Sequence, residues 1–190
     1  MSSPNPSVLT EREYLDLERK SEIRHEYIAG HMFAMSGASR RHSLITLNLA
    51  ALIWSQLRGR PCEAHANDMR VKVSETGMYT YPDIVAVCGD PLFEDTSIDT
   101  LLNPTLIVEV LSESTEKYDR GEKFAHYRRL DTLREYVLVS QNKMRVEHFR
   151  RAGEEWVLSE ISDPSSVLHL PVIDCHIEIA AIYEKVDFAA

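Results

Sequence analysis

The chain has 190 residues, a formal net charge of -9, 44% hydrophobic and 27% charged residues, and only 7 glycines. This is the composition of one folded domain spanning 1–190 with room for a real core, and it excludes fibrous and low-complexity classes. The acidic balance also argues against broad electrostatic affinity for nucleic acid, which depends on neutralising phosphates, but not against a locally basic cleft.

Residues 1–6 have neither the basic start nor the apolar run of a signal peptide, and no later run is long enough to span a bilayer. A cytoplasmic protein with no membrane partner is expected. Cys62, Cys88 and Cys175 are odd in number, far apart and without a Cys-x-x-Cys pairing. They indicate neither a disulfide framework nor a thiolate zinc site, and Cys88, ending an apolar run, reads as a small core residue.

From Pro6 to about Lys20, Thr10 and Glu13 have capping-box spacing, and Tyr14, Leu15 and Leu17 follow on an amphipathic helix. Arg24 to Ala29 and His31 to Met35 flank Gly30, which can supply the positive φ of a tight hairpin turn. Met32 and Met35 read as core filling. From Ser39, apolar residues from Leu44 to Leu57 recur at spacings of three and four, predicting a helix packed on a sheet and ended by Gly59-Arg60-Pro61. His42 falls in its first turn, either as a solvated or capping residue or as a polar group aimed into a cleft.

Ala66 to Val73 alternates as one strand, and Thr76-Gly77 turns the chain towards Tyr81. Tyr81 to Cys88 is an apolar strand carrying Asp83 near its start. Pro91 to Pro104 reads as a polar connection with one helical turn around Ile98 to Leu102. Leu106 to Leu111 is apolar on both faces, hence a central strand, and Glu109 is its one charge. Ser114 or Thr115 is placed to cap a helix from Glu116 to Leu130, on which Arg120, Lys123 and Tyr127 share a face. Arg134 to Ser140 is a further buried strand, Met144 to Arg150 and Trp156 to Leu158 continue as a meander, Val167 to Val172 is extended, and Ile177 to Tyr183 reads as a final helix.

The chemistry concentrates between Tyr81 and Tyr127. A carboxylate inside so apolar a strand is costly unless a cation meets it. Asp83, Glu109 and Lys123 converging on one cleft supply what metal-assisted phosphodiester cleavage needs: two hard oxygen ligands and a fixed cation. If the strands carrying Asp83 and Glu109 are neighbours, both reach one ion, completed by the Val110 carbonyl and water. The bland alternative is a structural Glu109–Lys123 ion pair, which leaves Asp83 unexplained. Arg70, Lys72, Arg120, Arg128, Arg129 and Arg134 gather near this stretch in sequence, either as a binding patch or as solvated faces. Neither a Gly-x-Ser-x-Gly elbow nor a Gly-rich phosphate loop is present.

Tyr81-Pro82-Asp83, the run Ile107 to Thr115, Tyr118 to Lys123 and Arg134-Glu135-Tyr136 together resemble the Uma2 family of endonucleases, as do His25 to Gly30 and His42 upstream. The resemblance covers nearly the whole chain. It implies an α/β (α+β) fold of the PD-(D/E)xK, restriction-endonuclease-like type, a central mixed β-sheet flanked by helices. By position, Asp83 is then the aspartate of the PD motif and Glu109 the second acidic residue. Leu111 stands where that superfamily places a lysine, and Lys123 is the relocated one, with Glu26 or His42 as the remaining polar contributor. The implied activity is hydrolysis of DNA phosphodiesters with Mg²⁺ or Mn²⁺ held by Asp83, Glu109 and the Val110 carbonyl, compatible with a homodimer in which two sites meet two strands. The competing class is a non-catalytic module that keeps the nuclease fold for binding.

Overall fold

The computed structural model describes residues 8–189. Helix α1 (Glu11–Glu18) precedes the hairpin β1 (His25–Ile28) and β2 (His31–Ala34), and the long helix α2 (Arg40–Leu57) leads to β3 (Cys62–Ala66), β4 (Arg70–Val73), β5 (Met78–Thr80) and β6 (Ile84–Cys88). After β7 (Thr100–Leu101) and β8 (Leu106–Leu111), one helical arm comprises α3 (Glu116–Tyr118), a π-helical turn (Asp119–Lys123) and α4 (Phe124–Tyr127). The chain closes with β9 (Glu135–Ser140), β10 (Val146–Ala152), β11 (Glu155–Ile161), β12 (Val167–Leu170), a 3-10 turn (Pro171–Ile173), β13 (Cys175–Glu178) and α5 (Ile179–Ile182).

A mixed six-stranded sheet, β11-β10-β9-β8-β6-β3, holds β8 near its centre, parallel to β9 and antiparallel to β6. Alternation decides what each face meets. Ile84, Ala86, Leu106, Val108 and Val110 pack beneath Ile45, Leu49, Ile53 and Leu57 of α2. On the other face Val85, Val87, Ile107 and Leu111 meet Phe124, Tyr127, Leu130 and Leu133, together with Val71, Val73, Met78 and Leu101 of a second sheet. That second, five-stranded sheet runs β2-β1-β5-β4-β7 and is covered by α1 through Tyr14, Leu15, Tyr27 and Tyr79. Each such fully buried large apolar side chain contributes about 1.5–3 kcal/mol relative to exposure.

Several local expectations hold. Thr10 and Glu13 form the reciprocal capping box of α1, and Ala29 and Gly30, at φ 49° and 87°, make the β1–β2 turn. Ser39 caps α2 by accepting from the His42 amide. Others are corrected. The strand expected from Ala66 to Val73 is broken at Asn67, whose φ is 63°, because Ala66 ends β3 in one sheet and Arg70 begins β4 in the other. The expected helical turn at 98–102 is instead β7, which pairs with β4. The expected final helix begins as strand β13, and only Ile179–Ile182 is helical. Thr115 occupies the cap position without using its side chain. Ser112 does that work, its hydroxyl accepting from the Thr115 amide and its carbonyl from Glu116.

The cysteine expectation is also overturned: Cys62 and Cys88 are disulfide-bonded. They stand directly opposite each other in the β3–β6 ladder, so the pairing register brings together two residues 26 positions apart. Cys175 is free and buried, and burial pushes its thiol up. Met35 is 37% exposed on a cleft wall, not in a core, whereas Met32 packs on the tyrosine cluster.

Candidate functional site

The five-stranded sheet passes into the six-stranded one at Tyr81-Pro82-Asp83, between β5 and β6, and a cleft of about 860 Å³ opens at this junction. Its floor collects Glu26 from β1, Asp83, Glu109 and Val110 from β8, and Asp119 and Lys123 from the π-helical turn, with His42 reaching in from the first turn of α2. All five side chains proposed from the sequence therefore meet in one place, together with the Val110 main chain.

Register explains the pairing of the two strand carboxylates. Ile84 lies opposite Val108, so one step back sets Asp83 beside Glu109. The Asp83 amide donates towards Glu109 Oε2 at 3.4 Å, and the Val110 amide donates to Asp83 Oδ2 at 2.7 Å. Pro82 offers no amide donor at this crossing, so the Asp83 backbone is the first to engage the β8 edge.

Lys123 is buried, with Nζ 2.9 Å from Glu109 Oε1, 3.0 Å from Glu26 Oε1 and 3.6 Å from Asp119 Oδ1. Tyr127 donates to the same Glu109 Oε1 at 2.9 Å, and Thr80 donates to Glu26. Asp119 and Tyr127 each lie four residues from Lys123, so the helical arm supplies the cation, one of its carboxylate partners and the hydroxyl from one side. Arg120 was expected to share their face but turns away to Glu116 and Glu147. His42 Nε2 sits 3.2 Å from Asp83 Oδ2.

Electrostatics follow from burial and from unequal numbers of charges. Desolvation pushes the Glu109 carboxyl up to about 8; Lys123 opposes this and Asp119 and Asp83 reinforce it. Burial likewise raises Asp119. Desolvation works against charge on Lys123, but Glu109, Glu26 and Asp119 outweigh it and hold the ammonium well above its ordinary value. Burial works against charge on His42, but Asp83, with Asp119 and the Val110 main chain, outweighs it and raises the imidazole. Four carboxylates thus face one ammonium and one imidazole.

The donor set fits a hard divalent cation. The contacts of Asp83 fall on Oδ2 and the strong contacts of Glu109 on Oε1, which leaves Asp83 Oδ1 and Glu109 Oε2 as the less engaged oxygens beside the Val110 main chain. All are oxygen donors of the kind that Mg²⁺ and Mn²⁺ take, and a divalent ion would favour the ionised form of the Glu109 carboxyl that burial disfavours.

Asp119, Tyr127 and Thr80 were missed by sequence reasoning. The signal for Asp119 was its spacing of four from Lys123, hidden because an acidic residue in a polar helical segment reads as solvated. The basic residues expected near the site are mostly spent elsewhere: Lys72 on Glu11 and Glu94, Arg70 against Asp99, and Arg129 on exposed Glu75. Among the described residues lining the cleft, Arg24, His42 and Lys123 are the basic ones, so no basic patch surrounds it.

Comparison with known proteins agrees with this architecture. A crystal structure described as "a putative nuclease belonging to DUF820", from Anabaena variabilis, superposes with a TM-score of 0.77 over 93% of this chain and 98% of that one, at 19% identity, which speaks to the fold. An uncharacterized Synechocystis protein, sll1609, is 37% identical over 155 residues, covering 81% of this chain and 88% of its own. A second, slr1290, is 35% identical over 188 residues, 98% of this chain and 97% of its own. Residues 12–181 match the model of the family Uma2, described as "Putative restriction endonuclease". With its mixed sheet flanked by helices and so much of its length matched, the chain belongs to the Uma2 family.

Proposed function

We propose that this cleft hydrolyses DNA phosphodiester bonds with Mg²⁺ or Mn²⁺ held by Asp83, Glu109 and the Val110 carbonyl, the chain acting as a single cytoplasmic domain that pairs as a homodimer on duplex substrate. The observation that carries this reading is the unbalanced charge of the floor, four carboxylates against Lys123 and His42, open to a cleft. A structural ion pair needs one carboxylate per cation. The surplus acids here are pushed towards their protonated forms, Glu109 up to about 8, and a further cation would favour their ionised forms.

A bound divalent ion supplies Lewis acidity towards a phosphoryl oxygen and a lowered pKa for the attacking water. The remaining tasks fall to side chains. Lys123 is a fixed positive charge and not a base, since three carboxylates hold it protonated. Together with Tyr127 it fixes Glu109 through Oε1, which aims the other oxygen into the cleft. Glu26 and Asp119 fix Lys123 in turn, and His42 and the Val110 amide orient Asp83 through Oδ2. Preorganisation of this kind keeps the charges in place as negative charge builds on the phosphate.

One observation favours a second reading, a nuclease-fold binding module without catalysis. Leu111 occupies the position of the superfamily lysine, and the ammonium of Lys123 faces three carboxylates instead of open space. Thermal melting with and without Mn²⁺ separates the two, because a ligand bound by the native state raises the melting temperature. The expected result is an upward shift in the wild type, its loss in Asp83→Ala and Glu109→Ala, and loss of metal-dependent cleavage in both variants while each still melts cooperatively. Cleavage retained by either variant sinks the catalytic reading. An unshifted wild type favours the module.

A further inference from the structure

On the opposite side of α2's length from the cleft histidine, the β12–β13 hairpin carries a second cluster of ligating side chains. We infer that His169, Asp174 and His176 form a binding site for a borderline divalent cation, zinc first among them, separate from the oxygen-lined cleft.

The alternation of the hairpin sets the pair. Leu168, Leu170, Cys175 and Ile177 point into the core under α2, so their neighbours must face solvent. His169 and His176 are directly opposite each other in the antiparallel register, and their rings stack at 4.2 Å with an interplanar angle of 15°. The 3-10 turn that joins the strands ends at Asp174, whose backbone is left-handed at φ 49° and ψ 49°. One ring nitrogen from each histidine and one Asp174 carboxylate oxygen all lie within 4.8 Å of one another, and all three residues are exposed.

The main chain beneath these side chains is held. Gln56 of α2 both donates to the His176 carbonyl and accepts from the His176 amide, at 3.0 Å each. Arg60 donates to the Ile173 and Asp174 carbonyls at 3.1 and 2.7 Å and lies 3.4 Å from Asp174 Oδ2. The ligands are thus offered by a clamped turn and a fixed strand register, which lowers the ordering cost of binding.

Ligand chemistry names the ion class. Two imidazoles and one carboxylate, with water in the fourth position, suit tetrahedral Zn²⁺, whereas Mg²⁺ takes oxygen ligands in octahedral array and has little use for stacked imidazoles. Bound there, the ion would pin β12 to β13 across the turn that joins them.

The test is calorimetric titration of the metal-stripped full chain with Zn²⁺ alone, set beside the double variant His169→Ala, His176→Ala. Both histidines are exposed, and far-UV circular dichroism checks the variant's fold. Because the cleft can also take Zn²⁺, the same pair is measured in an Asp83→Ala background. The expected result is one Zn²⁺ bound by the Asp83→Ala chain and a loss of affinity on removing the histidines greater than the roughly 10- to 100-fold that an outer-shell partner costs. Zinc binding that survives loss of both histidines, or an Asp83→Ala chain that folds and binds none, overturns the site. Should Asp83→Ala not fold, Co²⁺ bound to the otherwise wild-type chain gives the same decision, since removal of the histidines must abolish a tetrahedral cobalt absorption for the proposal to stand.

Discussion

Two buried cations, Arg70 and Lys123, are almost equally hidden from solvent, at 3% and 5% exposure, yet their surroundings differ in kind. Arg70, on β4, donates to the hydroxyls of Thr100 and Tyr81 and meets one carboxylate, Asp99, at 3.0 Å. Lys123 meets three carboxylates, with Asp83 close behind Glu109, and lines a cleft. The first arrangement satisfies a cation mainly with neutral partners and ties α1 to the second sheet. The second gathers more carboxyl groups than its cation can hold ionised. Burying charge is expensive in both places, but only the second is arranged to receive another ion.

Removing each cation sharpens that difference and has the largest expected effect. Lys123→Ala and Arg70→Ala should each cost about 3–5 kcal/mol in denaturant unfolding without divalent ions, as for other buried pairs broken on one side. Mg²⁺ or Mn²⁺ should then restore part of the loss in Lys123→Ala and none in Arg70→Ala. Equal behaviour of the two variants with metal would erase the distinction between a structural and a receptive cluster.

Tyrosine hydroxyls give a second, smaller comparison. Tyr127 donates to Glu109, which keeps Lys123 if the hydroxyl is lost. Tyr81 donates to Glu18 at 3.0 Å and accepts from Arg70 at 2.8 Å, so its loss strands a buried carboxylate contact and a buried cation donor together. Tyr127→Phe should therefore cost about 1.5–3 kcal/mol, the range for a hydrogen bond to a charged group. Tyr81→Phe should cost more, measured by the same unfolding curves. A larger loss in Tyr127→Phe would mean that Lys123 alone does not hold Glu109.

The contrast between these clusters was only half visible in the sequence. Asp83, Glu109 and Lys123 could be read because an acid within Ile107, Val108, Val110 and Leu111 must either face a cleft or meet a buried cation, and strand neighbours follow from two adjacent apolar runs. The capping box at Thr10 and the Gly30 turn were legible because each is set by a few contiguous residues. Asp119 was not, since its burial arises from the helical arm lying on the sheet, a tertiary fact. Nor was the Cys62–Cys88 link: Cys62-Glu63-Ala64-His65-Ala66 alternates, but its inward face carries only small residues, Cys62, Ala64 and Ala66, too weak a signal to mark a strand, and without that strand the register opposing the two cysteines cannot be drawn. Arg70 and Lys72 read from the sequence as candidates for a basic patch because proximity to Asp83 in the chain hides their membership of the other sheet.

The smallest effect is one of pH, and the two clusters carry opposite signs. Arg19, hydrogen-bonded to Asp99 at 2.8 Å, holds the Asp99 carboxyl below the usual carboxylate range, burial opposing it and nearby Arg70 assisting. A depressed folded-state pKa stabilises the fold above the unfolded value, near 4, and that contribution is lost as pH falls through the folded one. Glu109 and Asp119 are raised instead by burial, so their contribution is present below about pH 4 and is lost as pH rises, for Glu109 through about 8. Asp99→Asn should accordingly flatten the acid side of a stability-against-pH curve and leave the neutral side unchanged. Asp119→Asn should do the reverse, raising stability near pH 7 relative to pH 4. Because Asp99 is about a third exposed, its arm of the comparison is the weaker. Both curves come from urea unfolding at fixed ionic strength without divalent ions, and acid limbs that coincide in wild type and Asp99→Asn would show that Arg19 and Arg70 do not depress that carboxyl.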